Sequence, residues 1–337
     1  MRTNLFGRMP EGDDVSEIVI ANGGLSVAIL TYGAIVRDVR LEGIPHPLVL
    51  GFDTLAPYIE SSPYFGALVG RYANRIARGH LAIAGREYQL TLNERGRTHL
   101  HGGLKGFGKR NWRLVAADAA SATLALTSPD GEEGYPGAVE VLLKYSLDAN
   151  ATLRMDAEAV TDAPTVVNLA QHSYFNLDDS ADILDHQVQI LTEAYTPTDS
   201  DLIPTGEIVA VAGTDLDFRT QRPIRRMRGD ARVIYDTNFV VERGKSGMLR
   251  THARLTSPRN GVSLTVSSTE PGVQFYDGAW IDVAVVGIGS RRYGVNAGCC
   301  FEPQYFPDSP NHPNFPSALL QPGETYRQTT TFAFART

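Results

Sequence analysis

Alternation of apolar and polar residues with a period of two runs through most of this 337-residue chain, and helical spacing is nearly absent. In "VEVLLKYSL", Val139, Val141, Leu143, Tyr145 and Leu147 fall on one face of an extended segment, because successive strand side chains point to opposite sides. Leu153, Met155, Ala157 and Ala159 repeat the pattern, as do Val262, Leu264 and Val266, and then Tyr326, Gln328, Thr330, Phe332 and Phe334. The best helix candidate, "TLAPYIES" after Asp53, contains Pro57 and can run for no more than about two turns.

Turn chemistry separates these runs. "LEGIPHP", "SPDGEEGYPG", "SPRNGV", "PDSPNHPNFP" and "LQPGET" each join Gly or Pro with Asn, Asp or Ser, or with an acid, and "SLDANATL" sets Asp and Asn close together. Many short strands joined this way predict an all-β fold, a large antiparallel β-sandwich with very little helix. No fixed-period repeat or low-complexity linker divides the chain, which predicts one domain over residues 1–337.

Apolar residues make up 42% and charged residues 20%, enough to build a sizeable core. The net charge of -7 argues against a chain that neutralises phosphate backbones, so nucleic acid is not an expected partner. The opening "MRTNLFGRMPEGDDVSE" carries no apolar run, and nowhere do about eighteen apolar residues follow one another, so neither a secretory leader nor a membrane span is expected. Cys299 and Cys300 are adjacent and suit neither a disulfide framework nor a CxxC site, which points to a reducing cytoplasm.

Common signatures of chemistry are missing: no HExxH, GxxxxGK[ST], GxSxG or dinucleotide fingerprint occurs, so no cofactor is expected. His99 and His101 would face the same way on a strand and form a possible metal pair, but no third ligand stands at diagnostic spacing and no metal is expected. "RTQRPIRRMRGDAR", residues 219–232, holds six arginines. It reads as a phosphate-binding loop or as a solvated connection balanced by Asp215, Asp217, Asp230 and Asp236.

Two polar residues sit in apolar, strand-like surroundings. Pro303 favours an extended Glu302, so Cys300, Glu302 and Gln304 should share a face with Phe301 on the other. A carboxylate there would be partly desolvated, a stronger base that could still ionise near neutral pH; equally, it could be a strand-end glutamate paired with an arginine. His172, in "NLAQHSYFNL" beside Tyr174 and Phe175, reads either as a satisfied core histidine or as an acid near an apolar ligand face.

Five ordered segments resemble the aldose 1-epimerase (galactose mutarotase) family: "GRYANRIARG" (70–79), "HLHGGLKGFGKRNW" (99–112), "NLAQHSYFNL" (168–177), "PGVQFYDG" (271–278) and "FEPQYFPDSPNHPNFPSALLQPGE" (301–324). "LIPTGEI", "GTDLDFR" and "YDTNFV" agree with it, so the resemblance covers nearly the whole chain. It implies cofactor-free interconversion of the anomers of free aldoses by a monomer or homodimer, with Glu302 as general base and His172 as general acid. It also implies sugar-binding roles for Asn74, Arg75, His101, Asp236 and Gln274, with Tyr174 packing near the ligand. Ring opening takes a proton from the C1 hydroxyl and gives one to the ring oxygen, so acid and base are expected on different sides of that unit. The family commonly has asparagine before this histidine, where this chain has Gln171. Other readings on the same sandwich are a hexose-6-phosphate epimerase using the arginine loop and a silent carbohydrate-binding protein. A glycoside hydrolase would need a second carboxylate where the partner here is a histidine.

Overall fold

The computed structural model describes residues 2–336. Its largest sheet has nine strands, ordered Arg113–Ala117, Ser121–Ser128, Val139–Leu147, Thr152–Thr161, Tyr326–Arg336, Val262–Ser268, Arg250–Thr256, Gln187–Ile190 and Arg222–Pro223. Its ladders are antiparallel, as the turn-rich sequence predicts. The alternation is realised side by side: Val139, Val141, Leu143, Tyr145 and Leu147 are buried, while Glu140, Leu142 and Lys144 are exposed. The 326–336 strand lies between the 152–161 and 262–268 strands, so the last strand of the chain closes the middle of this sheet.

A four-stranded sheet of Arg2–Arg8, Asp14–Asn22, Leu25–Leu30 and Val36–Leu41 packs through its second strand against the 121–128 and 139–147 strands. Among the described residues helix is confined to Ala56–Glu60 and a few single turns, with Pro57 in the first turn of the helix, where its missing N–H costs nothing. Among the described residues no helix is long and apolar enough to cross a membrane.

The sheet that matters for chemistry has five strands: Val209–Ala210, Ala194–Thr196, Asp236–Val240, Gly272–Tyr276 and Cys300–Gln304. Its register pairs Gln274 with Glu302, Asp236 with Tyr276, and Phe275 with Phe301. Alternation then gives the sheet two unlike faces. On one, Phe275 stacks on Phe301 at 5.1 Å between ring centroids, and Phe218 packs edge-on against Phe275 and Phe239. Such ring pairs contribute about 0.5–1.5 kcal/mol each beyond the area they bury. The other face carries Asp236, Gln274, Glu302 and Gln304, as expected for Glu302 opposite Phe301.

His252, in the 250–256 strand, is fully buried, and burial lowers its pKa from 6.5 to about 4. The folded protein therefore refuses a proton that the unfolded chain accepts, so this contribution is intact above pH 6.5 and is lost as pH falls toward 4. Chemical denaturation should show His252 costing about 2 kcal/mol of stability between pH 7 and pH 5. His252→Leu should reduce the wild-type pH dependence by that amount; an unchanged slope would exclude His252 as its source.

Candidate active site

Two short ladders bring the functional residues together. Ala170–Gln171 pairs with Leu68–Val69 and runs beside the Cys300–Gln304 strand. His172 therefore emerges next to Glu302, and its Nε2 lies 3.5 Å from Glu302 Oε2, with both side chains almost free of solvent. Glu302 Oε2 has no hydrogen-bond partner, nor does the buried Oε1 of Gln274. Unpartnered buried oxygens are costly, and two of them on paired residues of one sheet face make a place for a polar ligand.

Arg75 is held from two sides. Its Nε and one terminal nitrogen fork onto Glu94 at 2.8 and 2.9 Å, while its other terminal nitrogen is 3.6 Å from Asp236 Oδ2. Asp236 Oδ1 accepts from Gln274 Nε2 at 2.5 Å. Glu94 was not singled out by any motif: only the Arg75–Leu100 and Ala77–Thr98 pairing, which brings the 93–98 turn against Arg75, reveals it.

Asn74 takes the left-handed backbone, φ +66°, that asparagine tolerates better than bulkier residues. There its N–H donates to His101 Nδ1 at 3.1 Å, and the His101 N–H donates back to the Asn74 carbonyl at 3.0 Å. An Nδ1 that accepts leaves the proton of neutral His101 on Nε2, so the ring presents a donor.

The shared strand face considered for His99 and His101 is not realised. The strand ends at Leu100, and His101 turns away with φ +51°. His99 instead contacts the Thr91 carbonyl at 2.7 Å and the Tyr135 hydroxyl at 2.6 Å. His101, His172 and Glu302 do place one ligand-type atom each within 4.8 Å of one another. The Nε2 proton on His101 fits a hydrogen-bond donor in that cluster better than a metal ligand.

Burial sets the electrostatics of the acid–base pair. It pushes Glu302 well above the usual carboxylate range, an effect the charge of Asp236 reinforces and Arg75 opposes. It lowers His172 to about 4. Burial thus disfavours the charged form of both groups, the ionised Glu302 and the His172 imidazolium alike. The physical reason is desolvation, which penalises both charges.

Tyr174 reaches the site through His172: its ring stacks on the imidazole at 5.1 Å, and its hydroxyl donates to the Pro63 carbonyl. Gln171 points away from the pair. Its Nε2 donates to the Gly66 carbonyl at 2.9 Å and its Oε1 accepts from the Ser173 N–H, so its extra methylene serves to reach a neighbouring turn. Arg71, also unflagged by sequence, is buried and donates to the carbonyls of Pro136, Gly137 and Ser128, holding the 70–77 segment from behind.

The arginine segment lies beside a surface concavity of about 620 Å³, lined by Tyr195, Asp215, Arg228, Ile234 and others. Its charges are engaged: Arg226 and Arg228 contact Asp215, Arg219 contacts Asp217 and Glu193, Arg225 contacts Asp185, and Arg232 contacts Asp277. Arg222 lies over the Phe218 ring.

The profile of the aldose 1-epimerase family matches residues 16–333. The chain belongs to that family. It is 40% identical to a galactose mutarotase of Bos taurus over 98% of this chain and 97% of that protein. It is 32% identical to an aldose 1-epimerase of Escherichia coli over 96% of both. Among solved structures it superposes on an aldose epimerase homologue from C. elegans with a TM-score of 0.89 and 28% identity, covering 96% of this chain and 99% of that one. A galactose 1-epimerase from Lactobacillus acidophilus gives 0.85 and 28%, covering 99% and 98%.

For this epimerase-family chain the Arg75–Glu94 fork is the part of the site most open to test. Glu94→Gln keeps the shape but removes the charge that aims the guanidinium; calorimetric titration with an aldose should show affinity falling about tenfold. Unchanged affinity would place Arg75 outside the binding set.

Proposed function

We propose that this chain is an aldose 1-epimerase, an isomerase that opens and recloses the hemiacetal ring of a free aldose and so interconverts its α and β anomers. The observation that carries the reading is the buried meeting of Glu302 and His172 at 3.5 Å, in a chain whose relatives are named for that activity.

The anomers differ only at C1. Glu302 as carboxylate accepts the proton of the C1 hydroxyl, the C1 to O1 double bond forms, the C1 to O5 bond breaks, and O5 takes a proton from the His172 imidazolium. The open-chain aldehyde turns about C1 to C2, and the reverse transfers close the ring on its other face. O1 and O5 are bonded to the same carbon, so an acid and a base 3.5 Å apart can serve both oxygens.

A protonated Glu302 with neutral His172 is the state reached after ring opening, and it is the one burial favours. Starting on a cyclic sugar needs ionised Glu302 and protonated His172, which hydrogen bonds from sugar hydroxyls and the charge of Arg75 assist by stabilising the carboxylate. Asp236, Gln274 and His101 supply acceptor, mixed and donor groups suited to a polyol. Asn74 acts by holding His101. Tyr174 acts by packing on His172.

The arginine segment gives no support to a 6-phosphate substrate, since carboxylates or an aromatic ring already engage its guanidinium groups. The chemistry asks for no cofactor. Two adjacent free cysteines support a reducing, cytoplasmic setting, and an apolar cluster that joins residues from Ile18 to Phe334 supports a single domain over the chain.

Polarimetry of freshly dissolved α-glucose or α-galactose tests the assignment. Glu302→Gln and His172→Asn should each lower kcat by about a thousandfold while KM stays within about threefold. A rate near wild type in either variant removes that residue from the mechanism. In kcat/KM the single-proton form of the pair should be bounded by an acid limb near pH 4 and an alkaline limb above the usual carboxylate range. An acid limb at 6.5 or above would contradict the lowered His172.

A further inference from the structure

The imidazole that must carry a proton is flanked by two tyrosine rings, and the sequence motifs pointed to one of them only. Tyr174 stacks on His172 at 5.1 Å and 27°; Tyr64 lies nearly parallel to it at 5.9 Å and 29°. The aromatic face is the negative side of the ring quadrupole, so a ring stacked on imidazole favours the protonated form over the neutral one.

Tyr64 holds its place against a backbone preference. Its φ of +65° lies in the left-handed region, unusual for a bulky side chain and maintained only where neighbours dictate it. Those neighbours are the His172 strand itself. The His172 N–H donates to the Ala67 carbonyl at 2.8 Å, and the Gly66 N–H donates to the His172 carbonyl at 3.0 Å. Gln171 Nε2 donates to the Gly66 carbonyl, and the Tyr174 hydroxyl donates to the Pro63 carbonyl at 3.1 Å. Four hydrogen bonds thus tie the 63–67 turn to residues 171–174. Gly66 is required within it, because a Cβ there would lie 2.1 Å from the Val36 carbonyl oxygen.

We propose that Tyr64 is a positioning residue for His172: its ring keeps the imidazole aligned with Glu302 and stabilises the imidazolium that protonates the sugar ring oxygen, while Gln171 straps the Tyr64 turn in place. The other groups facing this imidazole have different tasks. Cys300 Sγ is 3.6 Å from Nδ1, Glu302 faces Nε2, and His101 meets the ring edge-on at 5.1 Å. Lys109 stands over the Tyr64 ring, 5.4 Å from its centroid. Burial opposes a charged imidazole, and the tyrosine rings compensate part of that burial.

The proposal rests on the mutarotase reading, but its first test does not. Histidine-selective NMR titration of the free protein compares wild type, Tyr64→Asn, Tyr64→Phe and Gln171→Ala. Asn is chosen because it accepts the left-handed backbone while removing the ring. His172 should titrate about half a pH unit lower in Tyr64→Asn, return toward wild type in Tyr64→Phe, and move down by a smaller amount in Gln171→Ala. In polarimetry Tyr64→Asn should lose about thirtyfold in kcat with KM within about threefold, and Tyr64→Phe should recover most of that loss. The proposal is overturned if Tyr64→Asn leaves both the His172 titration and kcat unchanged, if Tyr64→Phe loses as much as Tyr64→Asn, or if only KM changes. Gln171→Ala also decides the matter should Tyr64→Asn fail to fold: an unchanged His172 titration and rate in that variant overturn the strap. Wild-type protein without mutarotation would remove the functional reading while the NMR comparison still decides the role of Tyr64.

Discussion

A carboxylate and an imidazole 3.5 Å apart, both nearly without solvent, form an arrangement that the rest of the chain must hold in place. Water would stabilise either charge and make the pair ordinary; its exclusion raises the pKa of Glu302 and lowers that of His172. The two-faced five-stranded sheet supplies that exclusion. Its Phe275–Phe301 stack anchors the strands in the core, and the same alternation turns Gln274 and Glu302 toward the opposite side.

Other buried charges show what is particular about this pair. Glu270 is as deeply buried as Glu302, yet Lys245 meets it at 2.5 Å and lies against the rings of Tyr305 and Tyr326. Asp236 has Arg75 and Gln274, and Asp277 has Arg232. Glu302 has a histidine that is itself disfavoured as a cation. A buried carboxylate facing a weak partner is poor for stability and well suited to proton transfer, since the proton is easily exchanged in either direction.

The parts of the site that could be read from sequence were those whose chemistry shows in one segment. Glu302 could be placed because Pro303 and Phe301 flank it on a strand, and His172 because a lone histidine interrupts an apolar run; the family resemblance then joined them. Glu94 was invisible, since its meeting with Arg75 depends on a turn between residues 93 and 98 folding back on a three-residue ladder. Arg71 and Tyr64 were equally hidden. Their partners lie on other segments, and an arginine or a tyrosine carries no local sign of which carbonyls or rings it will meet. The His99–His101 pair misled for the converse reason: two-residue spacing means a shared face only while the strand continues, and this one stops at Leu100.

The sequence by itself determined the class of fold and the chemical inventory. Period-two alternation leaves a chain little choice but to bury one face of each strand, and turn residues make antiparallel neighbours the accessible solution. Tertiary structure decided where protons reside and what the polar residues do. Burial sets the pKa of Glu302 and His172, backbone contacts fix the tautomer of His101, and the 63–67 turn brings Tyr64 against His172 while using Gln171 as its tie. These are properties of distances between residues far apart in the chain, and a linear pattern does not contain them.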